Sequence, residues 1–230
     1  MNDSYFDHYA SSYDEDLARA LSVSGEDKSY FARGRMRWLQ QWLERAGRRP
    51  GAVLDFGCGT GAATPFIFEC LKPARVLGVD VSEQSLLLAN EKFGQDHAVF
   101  AKIGQPCHAS IDVAFCNGVF HHIAPAERQD ALAYIYQSLR PGGVFALFEN
   151  NPWNPATCYV MSRCAFDRDA VTLPPPETRR RLRQAGFRVL ATRYLFVFPA
   201  LLKALRFLEK PLSRMPFGTQ YVVVAGKEST

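Results

Sequence analysis

Residues 53–64, VLDFGCGTGAAT, run an apolar strand into a carboxylate and then three closely spaced glycines. Without Cβ atoms, such a loop turns sharply and comes close to a nucleoside. Two kinds of ligand fit it. Gly57, Gly59 and Ala62 satisfy the G-x-G-x-x-G/A dinucleotide fingerprint, whereas Gly57, Gly59 and Gly61 with the upstream Asp55 fit a nucleoside carrying no phosphates. Asp80, 19 residues beyond Gly61, stands where a carboxylate accepts hydrogen bonds from ribose hydroxyls in either case. Further along come groups able to move a proton: His121 and His122, of which one is a candidate general base, and Glu149, a candidate to orient substrate or accept a proton. Adjacent histidines point in different directions along a strand or helix, so at most one should face a substrate. The pair should therefore be a poor chelate, and no metal is expected.

These residues need elements that bring them together. Short apolar runs at 52–56, 75–79, 98–101, 112–116, 144–148, 188–197 and 221–224 read as strands, and helical patterns fill 62–71, 83–93 and 125–139. Strands alternating with helices of this length indicate a parallel sheet covered on both faces, an α/β fold. Ser82 is a good N-cap and Gly94 a stop for the second of these helices. In the third, Leu132, Ile135, Tyr136 and Leu139 form a core stripe, and Pro141-Gly142-Gly143 should end it. In open α/β sheets ligands bind beyond the carboxyl ends of the strands. Asp55, the glycine loop, Asp80, Asn117-Gly118, His121, His122 and Glu149 all fall at such ends, so one crevice should collect them.

Upstream, 28–45 is amphipathic and follows an aromatic segment in which Tyr5, Tyr9 and Tyr13 share helical spacing. Residues 1–48 are accordingly expected to form a helical cap within a single domain spanning 1–230. Residues 151–176 show no periodicity and are rich in proline, which inside a compact domain indicates an insertion or lid, so 151–218 is assigned to the substrate side.

With 47% hydrophobic and 22% charged residues the chain has globular composition, and no run reaches the roughly 20 apolar residues of a membrane span. The N-terminus is acidic rather than signal-like, and the six cysteines contain no C-x-x-C, so free thiols and a cytoplasmic location are expected. Charge is uneven. Residues 1–150 carry 14 Lys/Arg against 18 Asp/Glu, but residues 151–230 carry 13 against 5. Arginines among Trp153, Tyr159, Met161, Phe166, Phe196, Phe198, Phe207 and Phe217 suit an apolar or aromatic acceptor with an anionic group. In 199–212, Leu201, Leu202, Leu205 and Leu208 oppose Lys203, Arg206 and Lys210, an amphipathic pattern suited to peripheral membrane contact, a partner helix or a pocket cover.

VLDFGCGTG, VLGVDVSEQSL, DVAFCNGVFHHI and LRPGGVFALFEN, in that order and spacing, resemble the motif set of class I S-adenosylmethionine-dependent methyltransferases. The likeness is to the small-molecule branch that includes quinone-biosynthesis C-methyltransferases; it covers about residues 50–150, and YASSYD at 9–14 also matches that branch. The resemblance implies a Rossmann-like three-layer sandwich with a seven-stranded, mostly parallel sheet whose last strand is antiparallel. It implies S-adenosylmethionine as cofactor. Asp55, Gly57, Gly59 and Gly61 would surround its methionine part, Asp80 would hold its ribose diol, the backbone of Asn117 and Gly118 would face its amino group, and Cys58 and Val81 are also expected at the cofactor. The family's adenine-contacting acid after the third strand is missing from AKIGQPC, leaving backbone near Lys102 and Ile103 for that contact.

The expected function is methyl transfer to O, C or N of an aromatic, quinone-like, lipid-linked or other secondary metabolite by a monomer or homodimer, with no nucleic acid as partner. NNPWNP at 150–155 resembles the signature of amino-group methyltransferases but lies after the wrong strand. The alternatives are an idle methyltransferase-like binding module and an NAD(P)-dependent oxidoreductase.

Overall fold

The computed structural model describes residues 21–164 and 167–229 of the 230-residue chain. Tyr5, Tyr9, Tyr13 and the YASSYD match lie outside the described residues, as does Phe166. One sheet organises the rest, with β1 (Ala52–Phe56), β2 (Arg75–Asp80), β3 (Ala98–Lys102), β4 (Ile111–Asn117), β5 (Leu139–Asn150), β6 (Arg188–Leu195) and β7 (Gln220–Gly226) in the order β3-β2-β1-β4-β5-β7-β6. β1 to β5 pair in parallel, and β7 enters between β5 and β6 antiparallel to both. Strand order reverses at β1 and β4, the point where an open α/β sheet parts to admit a ligand.

Side chains alternate across this sheet and build two apolar layers. Leu54, Phe56, Tyr221 and Val223 face one side with Leu132 and Ile135 of α4 (Arg128–Ser138), while Val53, Val222 and Val224 face the other with Met36, Leu39 and Leu43 of α1 (Lys28–Arg45) and Ile67 of α2 (Thr64–Leu71). Capping fixes where the helices begin. The Asp27 carboxylate accepts the Tyr30 N–H at 2.7 Å to open α1, and Ser82 Oγ accepts the Ser85 N–H at 3.1 Å to open α3 (Glu83–Phe93). The later helices are α5 (Pro155–Arg163), α6 (Pro175–Gln184) and the short α7 (Glu209–Leu212).

Several boundaries differ from expectation for local reasons. LRPGG does not merely stop a helix. Leu139 already pairs with Ile111, and Pro141, which has no N–H to donate, is absorbed by a register shift at the start of β5. β6 stops at Leu195 rather than residue 197 because Phe196 takes a left-handed backbone (φ 61°). Residues 151–176 are more regular than their sequence indicates: Asn154 caps α5 by accepting the Ala156 and Thr157 N–H groups. The 200–212 segment is not one α-helix. It forms a 3-10 helix, Ala200–Leu208, with a non-helical Leu202, and then α7.

NNPWNP has a structural role here. Asn151 is fully buried, and its amide donates to the Pro216 and Gly218 carbonyls at 3.1 and 2.8 Å, while Asn154 Nδ2 donates to Phe217 at 2.7 Å. The segment fastens the end of β5 to the turn before β7.

Candidate active site

The glycine loop follows β1, where the Gly57 and Cys58 N–H groups both donate to the Val79 carbonyl of β2. All three glycines have positive φ, but they serve different ends. A Cβ on Gly57 would stand 2.3 Å from Val119 Cγ2, and one on Gly61 would stand 2.9 Å from the Phe93 ring, so these two glycines allow close packing. Gly59 has nothing within 4 Å of its Cβ position, and its N–H donates to Asp80 Oδ2 at 2.8 Å. Of the three, Gly59 is the one that borders open space. We therefore expect Gly57→Ala to lose about 1–2 kcal/mol to backbone strain and a further 1–3 kcal/mol to overpacking. Gly59→Ala should pay chiefly the strain and show its larger effect in ligand affinity. Chemical denaturation beside ligand titration checks both, and equal stability loss in the two variants would contradict the assignment.

At the tip of β2, Asp80 is buried, and its second oxygen accepts the Ser82 N–H at 3.0 Å. Asp55 is buried at the end of β1, and its Oδ2 has no hydrogen-bond partner. Burial, with the Asp80 charge, raises the Asp55 carboxyl to about 7 against the partial offset of Arg35. Asn117 Oδ1, at the end of β4, is a second buried acceptor without a partner.

The histidines sit in the turn after β4. Glu149, from the end of β5, accepts the Phe120 N–H at 2.8 Å with one oxygen and meets His121 Nδ1 at 2.6 Å with the other. The partner of Glu149 is thus this histidine. Because His121 and His122 lie in a turn, the alternation expected of a strand or helix does not apply. Their ring centroids are 4.1 Å apart, and both Nε2 atoms stand 3.4 Å from Asp167 Oδ1. The expectation that only one would face a substrate is corrected, since both line the cavity described below. Burial opposes charge on His121, but Glu149 and Asp167 outweigh it and raise its pKa to about 10. Burial and the neighbouring His121 lower His122 to about 4. Burial opposes ionisation of Glu149, yet His121 and the Phe120 N–H hold it below its usual range.

Asp167, which no sequence pattern singles out, is delivered by a second loop. The Val171 N–H donates to the His121 carbonyl at 2.8 Å, and the buried Arg128 donates to the Ile123 and Val171 carbonyls, tying the two loops together.

A cavity of about 380 Å³ opens beside Asn117, Gly118, His121 and His122. Its far wall comes from the 151–218 region, with Thr157, Met161, Phe196 and Phe198, and its near wall from Tyr30, Phe31 and Arg35 of α1. The expected apolar residues divide. Met161, Phe196 and Phe198 line the cavity, whereas Trp153, Tyr159, Phe207 and Phe217 are solvent-exposed. Its cations, Lys28 and Arg35, come from the N-terminal helix, and none of the C-terminal arginines lines it. Arg206 instead pairs with Glu26 at 2.7 Å and stacks on the Tyr30 ring.

Residues 54–145, which hold the glycine loop, Asp80 and the histidine turn, match the methyltransferase domain family. Over those residues the chain carries a class I S-adenosylmethionine-dependent methyltransferase domain. An uncharacterised methyltransferase of Geobacillus kaustophilus is 35% identical over 150 residues, covering 61% of this chain and 64% of the relative. Trans-aconitate 2-methyltransferase of an Azoarcus species is 32% identical over 126 residues, 53% of this chain and 49% of that one. The chain thus spans less than two thirds of the length of these curated relatives. Among solved structures, the complex between the Haloferax volcanii Trm112 methyltransferase activator and a methyltransferase gives a TM-score of 0.67 at 18% identity, covering 99% of each chain. Human N-acetylserotonin methyltransferase with its cofactor gives 0.62 at 15% identity over 94% of this chain and 56% of that one. At such identities these structures establish the shared fold.

S-adenosylmethionine, the cofactor of this methyltransferase family, fits the residues present. Asp55 Oδ2 and Asn117 Oδ1 are buried acceptors awaiting donors, which suits an ammonium group, and the open Gly59 admits close approach. Of the other residues expected at the cofactor, Gly118 lines the cavity, whereas Gly57 and Gly61 are packed against Val119 and Phe93, and Cys58 and Val81 flank the loop and the tip of β2. After β3, the Ile103 N–H is already taken by the Asp80 carbonyl at 3.0 Å, so that group is not spare for adenine. Among the described residues no helix is long and apolar enough to cross a membrane.

Proposed function

We propose that this protein transfers the methyl group of S-adenosylmethionine to a small-molecule acceptor seated in the 380 Å³ cavity. The observation that carries the reading is the pair of buried, partnerless acceptors, Asp55 Oδ2 and Asn117 Oδ1, at the ends of neighbouring strands, with Asn117 also lining the cavity. Bound cofactor would supply an activated methyl on a sulfonium, open to in-line displacement. Asp55 and Asn117 would hold its amino acid part and Asp80 its ribose. The chain's main contribution is positioning, which in good intramolecular cases is worth roughly 7–11 kcal/mol.

Size and lining describe the acceptor. A cavity of this volume takes a small molecule. Phe31, Met161, Phe196 and Phe198 favour an apolar or aromatic body, while Lys28 and Arg35 favour an anionic group. A relative named for methylating trans-aconitate supports a small-molecule acceptor. His121 and His122 would meet the acceptor's polar group, with Glu149 acting through His121 as a positioning residue. The 151–218 region would close over the acceptor.

Thermal-shift titration tests cofactor identity. S-adenosylmethionine and S-adenosylhomocysteine should both stabilise the protein, by about 2.7 kcal/mol at 100 times the dissociation constant. Stabilisation by NAD and by neither sulfur ligand would favour the oxidoreductase reading instead.

The expected peripheral contact through 199–212 is supported by Leu201 and Phe207, which are 93% and 73% exposed beside the exposed Lys203 and Lys210. Cosedimentation with anionic vesicles should be lost in the double variant Leu201→Asp with Phe207→Asp, and retention in that variant would rule out this surface.

A further inference from the structure

The geometry points to a divalent transition-metal site formed by His121 Nε2, His122 Nε2 and Asp167 Oδ1 on the cavity wall. These three atoms lie within 4.8 Å of one another, and each imidazole nitrogen is 3.4 Å from the carboxylate oxygen. At that length neither contact is a well-formed hydrogen bond. It is the spacing of two ligands of one tetrahedral ion, which stand roughly 3.4 Å apart when each bond is about 2.1 Å.

Three independent observations support a cation here. Asp167 Oδ1 is buried without a well-formed hydrogen bond, and the Asp167 side chain is only 5% exposed, so a carboxylate oxygen is aimed into the cluster with the two imidazole nitrogens as its nearest polar neighbours. His121 turns its other nitrogen, Nδ1, to Glu149 at 2.6 Å, the outer carboxylate contact that commonly fixes the tautomer and orientation of a metal-bound histidine. The cluster is also rigidly framed, because Arg128 and the Val171 N–H lock the loop carrying Asp167 against the histidine turn. Two imidazoles and one carboxylate, with the ion displacing the proton on His121 Nε2, form the two-histidine, one-carboxylate set that suits zinc or ferrous-type ions and leaves coordination positions open.

Those positions face the cavity, since His121, His122 and Asp167 all line it. The ion would bind an oxygen of the acceptor as a Lewis acid and orient its nucleophile, a role that rests on the methyl-transfer reading. Metal binding itself does not depend on that reading.

The test titrates chelator-treated protein with Co2+ and follows visible ligand-field bands, then displaces the cobalt with Zn2+. One equivalent should bind and give bands. Asp167→Asn and His122→Ala should each weaken binding roughly 100-fold or more, and Glu149→Gln about 10–100-fold. His108→Gln, at an exposed histidine, should change nothing. Circular dichroism and S-adenosylhomocysteine binding confirm that each variant is folded. Asp167→Asn conserves shape, so it decides the matter if Glu149→Gln does not fold. Absence of bands in folded wild-type protein would overturn the site, as would bands that persist in Asp167→Asn and His122→Ala. Loss of S-adenosylhomocysteine binding by wild-type protein, with cobalt still bound, would instead count against the methyl-transfer reading alone.

Discussion

Asp80→Ala should abolish the response to S-adenosylmethionine at concentrations that saturate the wild type. The carboxylate has two tasks. Its Oδ2 accepts the Gly59 N–H and its Oδ1 the Ser82 N–H, so it sets the glycine loop against the start of α3. Its second task, we propose, is to hold the ribose diol of the cofactor. Hydrogen bonds to charged groups contribute roughly 1.5–3 kcal/mol each. Losing two should weaken binding by about two to four powers of ten, at 1.4 kcal/mol per tenfold. Asp80→Asn keeps an acceptor for Gly59 without the charge and should fall between. An unchanged thermal shift in folded Asp80→Ala would mean that the ribose is held elsewhere.

The second large effect is a pH dependence of cofactor affinity centred on Asp55. The ligand-free carboxyl is raised to about 7 by burial and by Asp80, with Arg35 opposing and Cys58 adjacent on the loop. A cationic ligand requires the carboxylate, so below pH 7 it must displace a proton. Affinity should fall as pH drops through 7, by up to about tenfold per unit. The window is about pH 5.5 to 7.5, because a free α-amino group itself titrates near 7.7–8.0. The same shift affects the unliganded fold in a definite direction. With a folded value above the ordinary 3.8, the stability attributable to this group is fully present below 3.8 and is lost as pH rises to about 7. Calorimetry across the window in buffers of different ionisation enthalpy should show proton release on binding. In Asp55→Asn both the release and the slope should vanish. A slope that survives in that variant would place the titrating group elsewhere.

The parts of this site legible in the sequence are those made by local rules. Asp55, Asp80 and Asn117 end apolar runs whose strand character is plain, and parallel pairing brings strand ends to one edge of the sheet, so their convergence follows from the pattern alone. The division of labour among the glycines was not legible. It depends on Val119 and Phe93, which reach the loop through tertiary packing. Asp167 was hidden for a stronger reason. It lies in an aperiodic, proline-bounded stretch, and what places it is the Val171 bond to His121 together with a buried arginine, neither of which leaves a spacing signal. The only hint was an acid in an irregular segment that lacked a structural reason of its own. The cavity's cations were misassigned likewise: bulk charge pointed to the C-terminal third, but geometry supplies Lys28 and Arg35 from α1. Net charge describes a surface, whereas a site is chosen by which few side chains the packing turns inward.

Incubation with methyl-labelled S-adenosylmethionine and a fractionated cell extract, followed by separation of small molecules from macromolecules, tests the central claim most directly. The expected result is label in a small, anionic, partly apolar compound, with transfer lost in Asp80→Ala. Label confined to protein or nucleic acid, or cofactor binding with no labelled product in any fraction, would contradict it.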